Sequence, residues 1–109
     1  MQTLDRLKML VERNGGFVNA HAHFDRAYTA QTSDFESDNV NAHLFEKWEL
    51  VNQFKRNASE ERYYNHISEA IYNQIKMGVT AGLSFIDCDP VSEQRALAAA
   101  LRAKKDWSD

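Results

Sequence analysis

Cysteine, proline and glycine are all scarce in this chain, with one, one and four copies among 109 residues. The lone Cys88 excludes an intrachain disulfide and fits a reducing compartment. Long apolar runs are missing as well: none approaches the roughly 20 residues that span a bilayer. At the N-terminus Asp5, Arg6, Lys8, Glu12 and Arg13 interrupt what would be the apolar centre of a signal peptide. There is no dense Lys/Arg stripe, and 13 basic against 16 acidic residues give a net charge of −3, which argues against a nucleic-acid surface. Repeats and low-complexity segments are absent. The expectation is a soluble cytoplasmic protein with neither nucleic acid nor membrane as partner. At 109 residues and 43% hydrophobic content it has room for one modest core, and one domain is the ceiling.

What the chain does have is a stretch from Gly15 to Thr29 that reads GGFVNAHAHFDRAYT. The glycine pair ends the preceding segment, and a short run with strand-like alternation follows. On a strand, Phe17, Asn19, His21 and His23 share one face while Val18, Ala20, Ala22 and Phe24 share the other. Two imidazoles at i and i+2 on one face are able to donate nitrogens to a single divalent cation, at about 2.0 to 2.1 Å for zinc. From the residues alone, two polar side chains at an exposed strand end are an equally valid reading.

The run GFVNAHAHFDRAYT resembles the first barrel strand of the amidohydrolase superfamily, whose metal-binding His-x-His lies at the end of that strand. It looks most like the cytosine-deaminase-like branch, in which an aspartate and a basic residue follow the second histidine. A second segment, Gly78 to Pro90 (GVTAGLSFIDCDP), is similar to the second barrel strand of the same branch. It is entered through Gly-Val-Thr and left through Asp-x-Asp-Pro. The sequence departs from that pattern twice. Phe85 stands where the branch often has histidine, and a short helix stands where full-length relatives carry a β-domain segment.

The remaining chain reads as helices and one more strand. Thr3 to Arg13 places Leu4, Leu7, Leu10 and Val11 on one side, with Thr3 as cap and Asn14-Gly15-Gly16 as stop, which predicts a packing helix. Arg26 to Asn39 has no period and reads as a loop, from which Asp34, Glu36 and Asp38 could approach a substrate. Val40 to Phe54 has a helical stripe that includes Trp48, with His43 on or beside it as an ordinary boundary histidine. Ser59 caps a helix from Glu60 to Met77 with Tyr64, Ile67, Ile71 and Ile75 as its buried stripe and His66 as a structural neighbour. Val79 to Asp87 reads as a buried parallel strand. Asp89-Pro90 then starts a last helix, Val91 to about Lys104, with Leu97 and Leu101 inward.

The fold class expected is therefore α/β: an incomplete (βα)-barrel, or TIM-barrel, fragment. Residues 1–109 would hold the first two βα units in βαβα order, with extra helices and a short helix at 3–13 in front. A closed eight-fold barrel takes about 250 residues. The resemblance implies that His21 and His23 bind a divalent metal, zinc before iron or manganese. It further implies that Asp25 and Asp87 serve catalysis and that Arg26 and Tyr28 contact a small-molecule substrate. The function implied is the N-terminal part of a metal-dependent amidohydrolase or deaminase, hydrolysing C–N bonds of a small cyclic amidine or amide through a metal-activated water. By itself the chain is expected to be inactive, and either oligomeric or dependent on the missing remainder of the barrel. The alternative is a stand-alone helix-rich interaction module whose histidines are incidental.

Overall fold

The computed structural model describes residues 2–29 and 44–108. In chain order these form α1 (Thr3–Arg13), β1 (Phe17–Ala22), a 3-10 turn (Phe24–Arg26), α2 (Leu44–Asn57), α3 (Glu60–Lys76), β2 (Val79–Ser84) and α4 (Arg95–Asp106). The loop acids Asp34, Glu36 and Asp38, together with Val40 and His43, lie outside the described residues.

Glycine leads the chain into each of the two strands. After α1, the Gly15 N–H reaches the Glu12 carbonyl at 3.2 Å and the Gly16 N–H reaches that of Val11 at 2.9 Å, closing a Schellman motif. Gly15 and Gly16 have φ of 89° and 90°, a region that L side chains rarely adopt. After α3, Gly78 repeats the device at φ 91°, and its N–H reaches the Ile75 carbonyl at 3.0 Å. Two helix stops thus deliver two strands side by side. β1 and β2 pair in parallel, with Phe17 opposite Val79, Asn19 opposite Gly82 and Ala22 opposite Ser84.

Among the described residues the sheet ends there, with two strands. The connection between them carries two helices: α3 packs on α4 and on the 3-10 turn, while α2 adds Phe54 to the same core and leaves Leu44, Phe45 and Trp48 exposed. The core consists of Phe54, Ala58, Tyr63, Ile67, Ala96, Ala99 and Ala103, all from α2, α3, α4 and the link between α2 and α3. The expected barrel fragment of alternating βα units is therefore not what forms. The described residues make a small helix-rich unit with one pair of parallel strands. The strands themselves are open to solvent, with Val18 68% and Leu83 69% exposed, contrary to the expectation that β2 is buried. β2 also stops at Ser84, which leaves Asp87 in the segment beyond it.

Other boundaries shift for identifiable reasons. α1 buries none of its residues, and its cap position is Gln2 without a side-chain bond, so the expected packing helix shows its leucines to solvent. The buried line of α3 is Tyr63, Ile67 and Ala70: Ile67 is buried as expected, Tyr64 and Ile71 pack partly buried beside it, and Ile75 is exposed. Trp48 and Phe45 form an exposed edge-to-face pair on α2. α4 turns alanines inward instead of Leu97 and Leu101, because small side chains allow its backbone to approach α3 closely. It begins at Arg95, since Asp89 spends its Oδ1 on the N–H groups of Val91 and Ser92, both at 2.9 Å, and holds a turn there. The Ser59 cap is as expected, its side chain accepting from the Arg62 N–H at 3.1 Å.

Candidate functional site

His21 is the penultimate residue of β1 and His23 lies just past its end, so strand alternation turns both rings to one side. Their Nε2 atoms lie 3.2 Å apart. Two nitrogens bound at about 2.0 to 2.1 Å to one tetrahedral cation stand roughly 3.3 Å apart, so this spacing is that of a ligand pair. It is also the spacing of an N–H···N hydrogen bond between neutral imidazoles. Asn19 holds the approach: its Oδ1 accepts the His21 N–H at 3.2 Å and its Nδ2 donates to Gln74 Oε1 at 3.0 Å. Phe85 backs both rings, stacked on His23 at 5.5 Å and tilted against His21 at 5.1 Å. Among the described residues no cluster of three or more His, Cys, Asp or Glu is placed to hold a metal ion. The imidazole pair therefore fits two positions of a tetrahedral site, and the described residues supply no third.

The two aspartates have different environments. Asp25, on the 3-10 turn, is 2% exposed. Its Oδ2 accepts the backbone N–H of Asp87 at 2.9 Å, while Oδ1 has no partner among the described residues. Burial raises its pKa; the Asp87 N–H and Arg26 oppose the rise, and the charge of Asp87 adds to it. Asp87 is also desolvated, which alone would raise its pKa, but bonds from Lys55 and Arg26 outweigh this and hold it below the ordinary value. Arg26 donates to Asp87 Oδ2 from Nε at 2.9 Å and from Nη2 at 2.7 Å, and Lys55 Nζ lies 3.0 Å from the same oxygen.

Lys55 also donates to Asp89 at 2.6 Å. It is 8% exposed, and although burial works against its charge, the two carboxylates raise its pKa. Asp89 is held well below the usual carboxylate range, first by Lys55 and then by the Ser92 and Val91 N–H groups. Ser92, fully buried, donates its hydroxyl to the Asp87 carbonyl at 3.2 Å. Arg95 donates to the carbonyls of Lys55 at 2.7 Å and Arg56 at 3.1 Å, capping the C-terminal end of α2.

Tyr28 takes a left-handed backbone, φ 63°, and its hydroxyl accepts from Asn73 Nδ2 at 2.6 Å. Its ring meets His66 edge-on at 6.5 Å. The structure thus commits Tyr28 to α3, whereas Arg26, with a side chain 48% exposed, stands at the surface beside Asp87. His66 stacks on Phe54 at 5.8 Å, a structural place as expected.

Of the residues singled out in the sequence, His21 and His23 come together, and Asp25, Arg26 and Asp87 form a second group. Lys55, Tyr63, Ser92 and Arg95 join that group without having been singled out. Nothing in the sequence singles out Lys55, since no local pattern marks a lysine whose carboxylate partners lie 32 and 34 positions away. For Ser92 a signal exists: Asp-Pro-x-Ser is an aspartate-led turn as readily as a helix start.

No family model matches the chain. It is similar to an uncharacterised protein of Haemophilus influenzae, 42% identical over 93 residues that make up 85% of this chain and 33% of that protein. It is also similar to N-isopropylammelide isopropyl amidohydrolase of Pseudomonas sp. strain ADP, 28% identical over 97 residues, 86% of this chain and 24% of that protein. The chain thus spans about a third and about a quarter of the lengths of these two relatives.

Proposed function

We propose that this chain is part of a metal-dependent amidohydrolase that cleaves a C–N bond of a small nitrogenous cyclic substrate. In this reading His21 and His23 supply two nitrogen ligands to a divalent cation, zinc before iron or manganese. The observation that carries it is the 3.2 Å convergence of the two Nε2 atoms at the end of β1, in a chain similar to a protein named as an amidohydrolase. A cation bound there supplies an activated water, its pKa lowered toward neutrality. The chain's own residues do the rest of the local work. Asn19 fixes the strand end, Phe85 keeps both rings turned to one side, and Arg26 offers a cationic edge to a substrate carbonyl or ring nitrogen. In this reading Asp87, whose charge is held by Arg26 and Lys55, orients the Arg26 guanidinium toward the substrate, and Asp25, buried behind it, sets its position.

Two imidazoles leave tetrahedral zinc two ligands short, so the 109-residue chain alone should bind cation weakly and turn over nothing. Titration with Co²⁺ or Zn²⁺, followed through the imidazole signals of His21 and His23, tests the site. Perturbation of both signals, lost in His21→Ala and in His23→Ala, is the expected result. Cation binding that ignores both substitutions overturns it, and turnover of a cyclic amidine by the isolated chain would overturn the expectation of silence.

A second reading rests on a separate observation, the exposed leucine stripe of α1 and the exposed Phe45–Trp48 pair of α2. Faces of this kind mark association surfaces, as in a helix-rich interaction module. Sedimentation of the chain separates the two readings: a well-behaved monomer or dimer unaffected by His21→Ala favours the module.

A further inference from the structure

We propose that Gln74, on the last turn of α3, is a positioning residue for the imidazole pair and acts on it through Asn19. The proposal rests on the reading that His21 and His23 share a cation, and it names the residue that sets their spacing. The pairing of β1 with β2 breaks register between Asn19 and Ala22, so His21 sits inside an irregular stretch. Such breaks take a residue out of the ladder and re-aim its side chain. There the His21 N–H is met by a side chain, Asn19 Oδ1, at 3.2 Å, in the turn that asparagine makes with the N–H two residues on. A backbone N–H only donates, so the atom facing it is the carboxamide oxygen, and Nδ2 points the other way. That Nδ2 donates to Gln74 Oε1 at 3.0 Å, across 55 positions of sequence. One backbone N–H thus orders two amide groups in series, and α3 braces the backbone that carries His21.

Without the Gln74 oxygen the Asn19 carboxamide is free to turn, and the His21 N–H loses its acceptor for part of the time. The two Nε2 atoms stand 3.2 Å apart, a gap that opens when the backbone under one ring rotates against the other. Phe85 restrains the rings by their faces; the Gln74–Asn19 chain restrains the backbone beneath them. Asn73, next to Gln74, donates to the Tyr28 hydroxyl at 2.6 Å. Adjacent side chains of α3 therefore hold the chain on both sides of the pair.

Gln74→Met keeps the length of the side chain and removes the acceptor. In the metal-free chain, hydrogen exchange at the His21 N–H should run about fivefold faster in Gln74→Met, the worth of about one hydrogen bond. In an Asn19→Ala background the same substitution should add nothing, because the path runs through Asn19. An unchanged rate in Gln74→Met, or two effects that add in full, overturns the proposal. Affinity of the pair for Co²⁺ should fall about tenfold in Gln74→Met, as for other groups that orient metal ligands; faster exchange with unchanged affinity refutes the positioning role. A native chain that binds no Co²⁺ through His21 and His23 sinks the amidohydrolase reading alone, and the exchange cycle then decides the role of Gln74. In the unaltered chain, nuclear Overhauser contacts between the Asn19 carboxamide protons and the Gln74 side chain are expected. Their absence refutes the bond even where a variant does not fold.

Discussion

Asp25 Oδ2 accepts the backbone N–H of Asp87 at 2.9 Å, across 62 positions of sequence. One buried carboxylate thereby ties the turn after β1 to the segment after β2. Asp25→Ala leaves that N–H inside without a partner, and about 1 to 3 kcal/mol of stability should be lost. Urea unfolding of the two proteins measures it; an unchanged midpoint would show that the tie is not needed.

Lys55 stands between Asp87 at 3.0 Å and Asp89 at 2.6 Å. Removing one partner of a buried ion pair is costly, but the Asp89 side chain is 37% exposed and water can take up part of the loss. Lys55→Ala should therefore destabilise by about 1 to 3 kcal/mol. Lys55→Met, which keeps the packing of the stem, should lose less, and a Lys55→Met chain as stable as the native one in thermal unfolding would refute the charge argument.

Burial, and the nearby Arg62 charge, lower the pKa of His66, while the Ala27 backbone and Glu69 work the other way. A depressed histidine means that the unfolded chain binds the extra proton first as pH falls. The His66 contribution is thus complete above about 6.5, the unfolded value, and is lost as pH drops through the lower folded value. Urea midpoints measured from pH 8 downward, as a rough range, should decline below neutrality in the native chain. They should decline less in His66→Gln, and parallel curves would exclude His66 as the cause.

Phe85 lies 5.1 and 5.5 Å from the two imidazole centroids. Phe85→His places a third nitrogen ligand beside the pair. If that nitrogen adds about 1.4 kcal/mol of binding, cation affinity rises about tenfold. Calorimetric titration with Zn²⁺ checks this, and an affinity equal to that of the native chain would mean that the imidazoles do not share a cation.

Gly15 and Gly16 share a positive φ but not their surroundings. A Cβ on Gly15 meets open space, whereas one on Gly16 overlaps the Thr80 side chain and comes within 2.9 Å of the Gly78 carbonyl oxygen. Gly15→Ala should cost about 1 kcal/mol from the left-handed backbone alone. Gly16→Ala should cost clearly more, and equal midpoints for the two variants would contradict the close approach.

The elements themselves were legible because their signals are local. The Gly15-Gly16 stop, the alternation from Phe17 and the Ser59 cap each act within a turn of chain, and β1 and α3 form where these signals place them. Burial was not legible, because it depends on what lies opposite. Leu97 and Leu101 read as core until Ala96, Ala99 and Ala103 proved to face α3, and the leucines of α1 have nothing described to cover them. The barrel expectation failed for the same reason: strand-like runs at Phe17 and Val79 do not reveal how many strands will join them. His21 and His23 were visible because an i, i+2 spacing fixes their side of the strand. The charge network of Asp25, Asp87 and Lys55 is assembled by tertiary contacts, and for Lys55 the sequence carries no mark.

The alanine seam between α3 and α4 has a consequence for how this chain can vary. Ala96, Ala99 and Ala103 have no exposed surface at all, and alanine is already the smallest side chain with a Cβ. Every substitution at these positions except glycine adds volume, and glycine weakens the helix. Neutral drift is therefore closed in both directions at three successive turns of one helix, while the exposed leucines beside them are free to change. Sequence variation that preserves this unit should run along the outer face of α4 and stop at the seam.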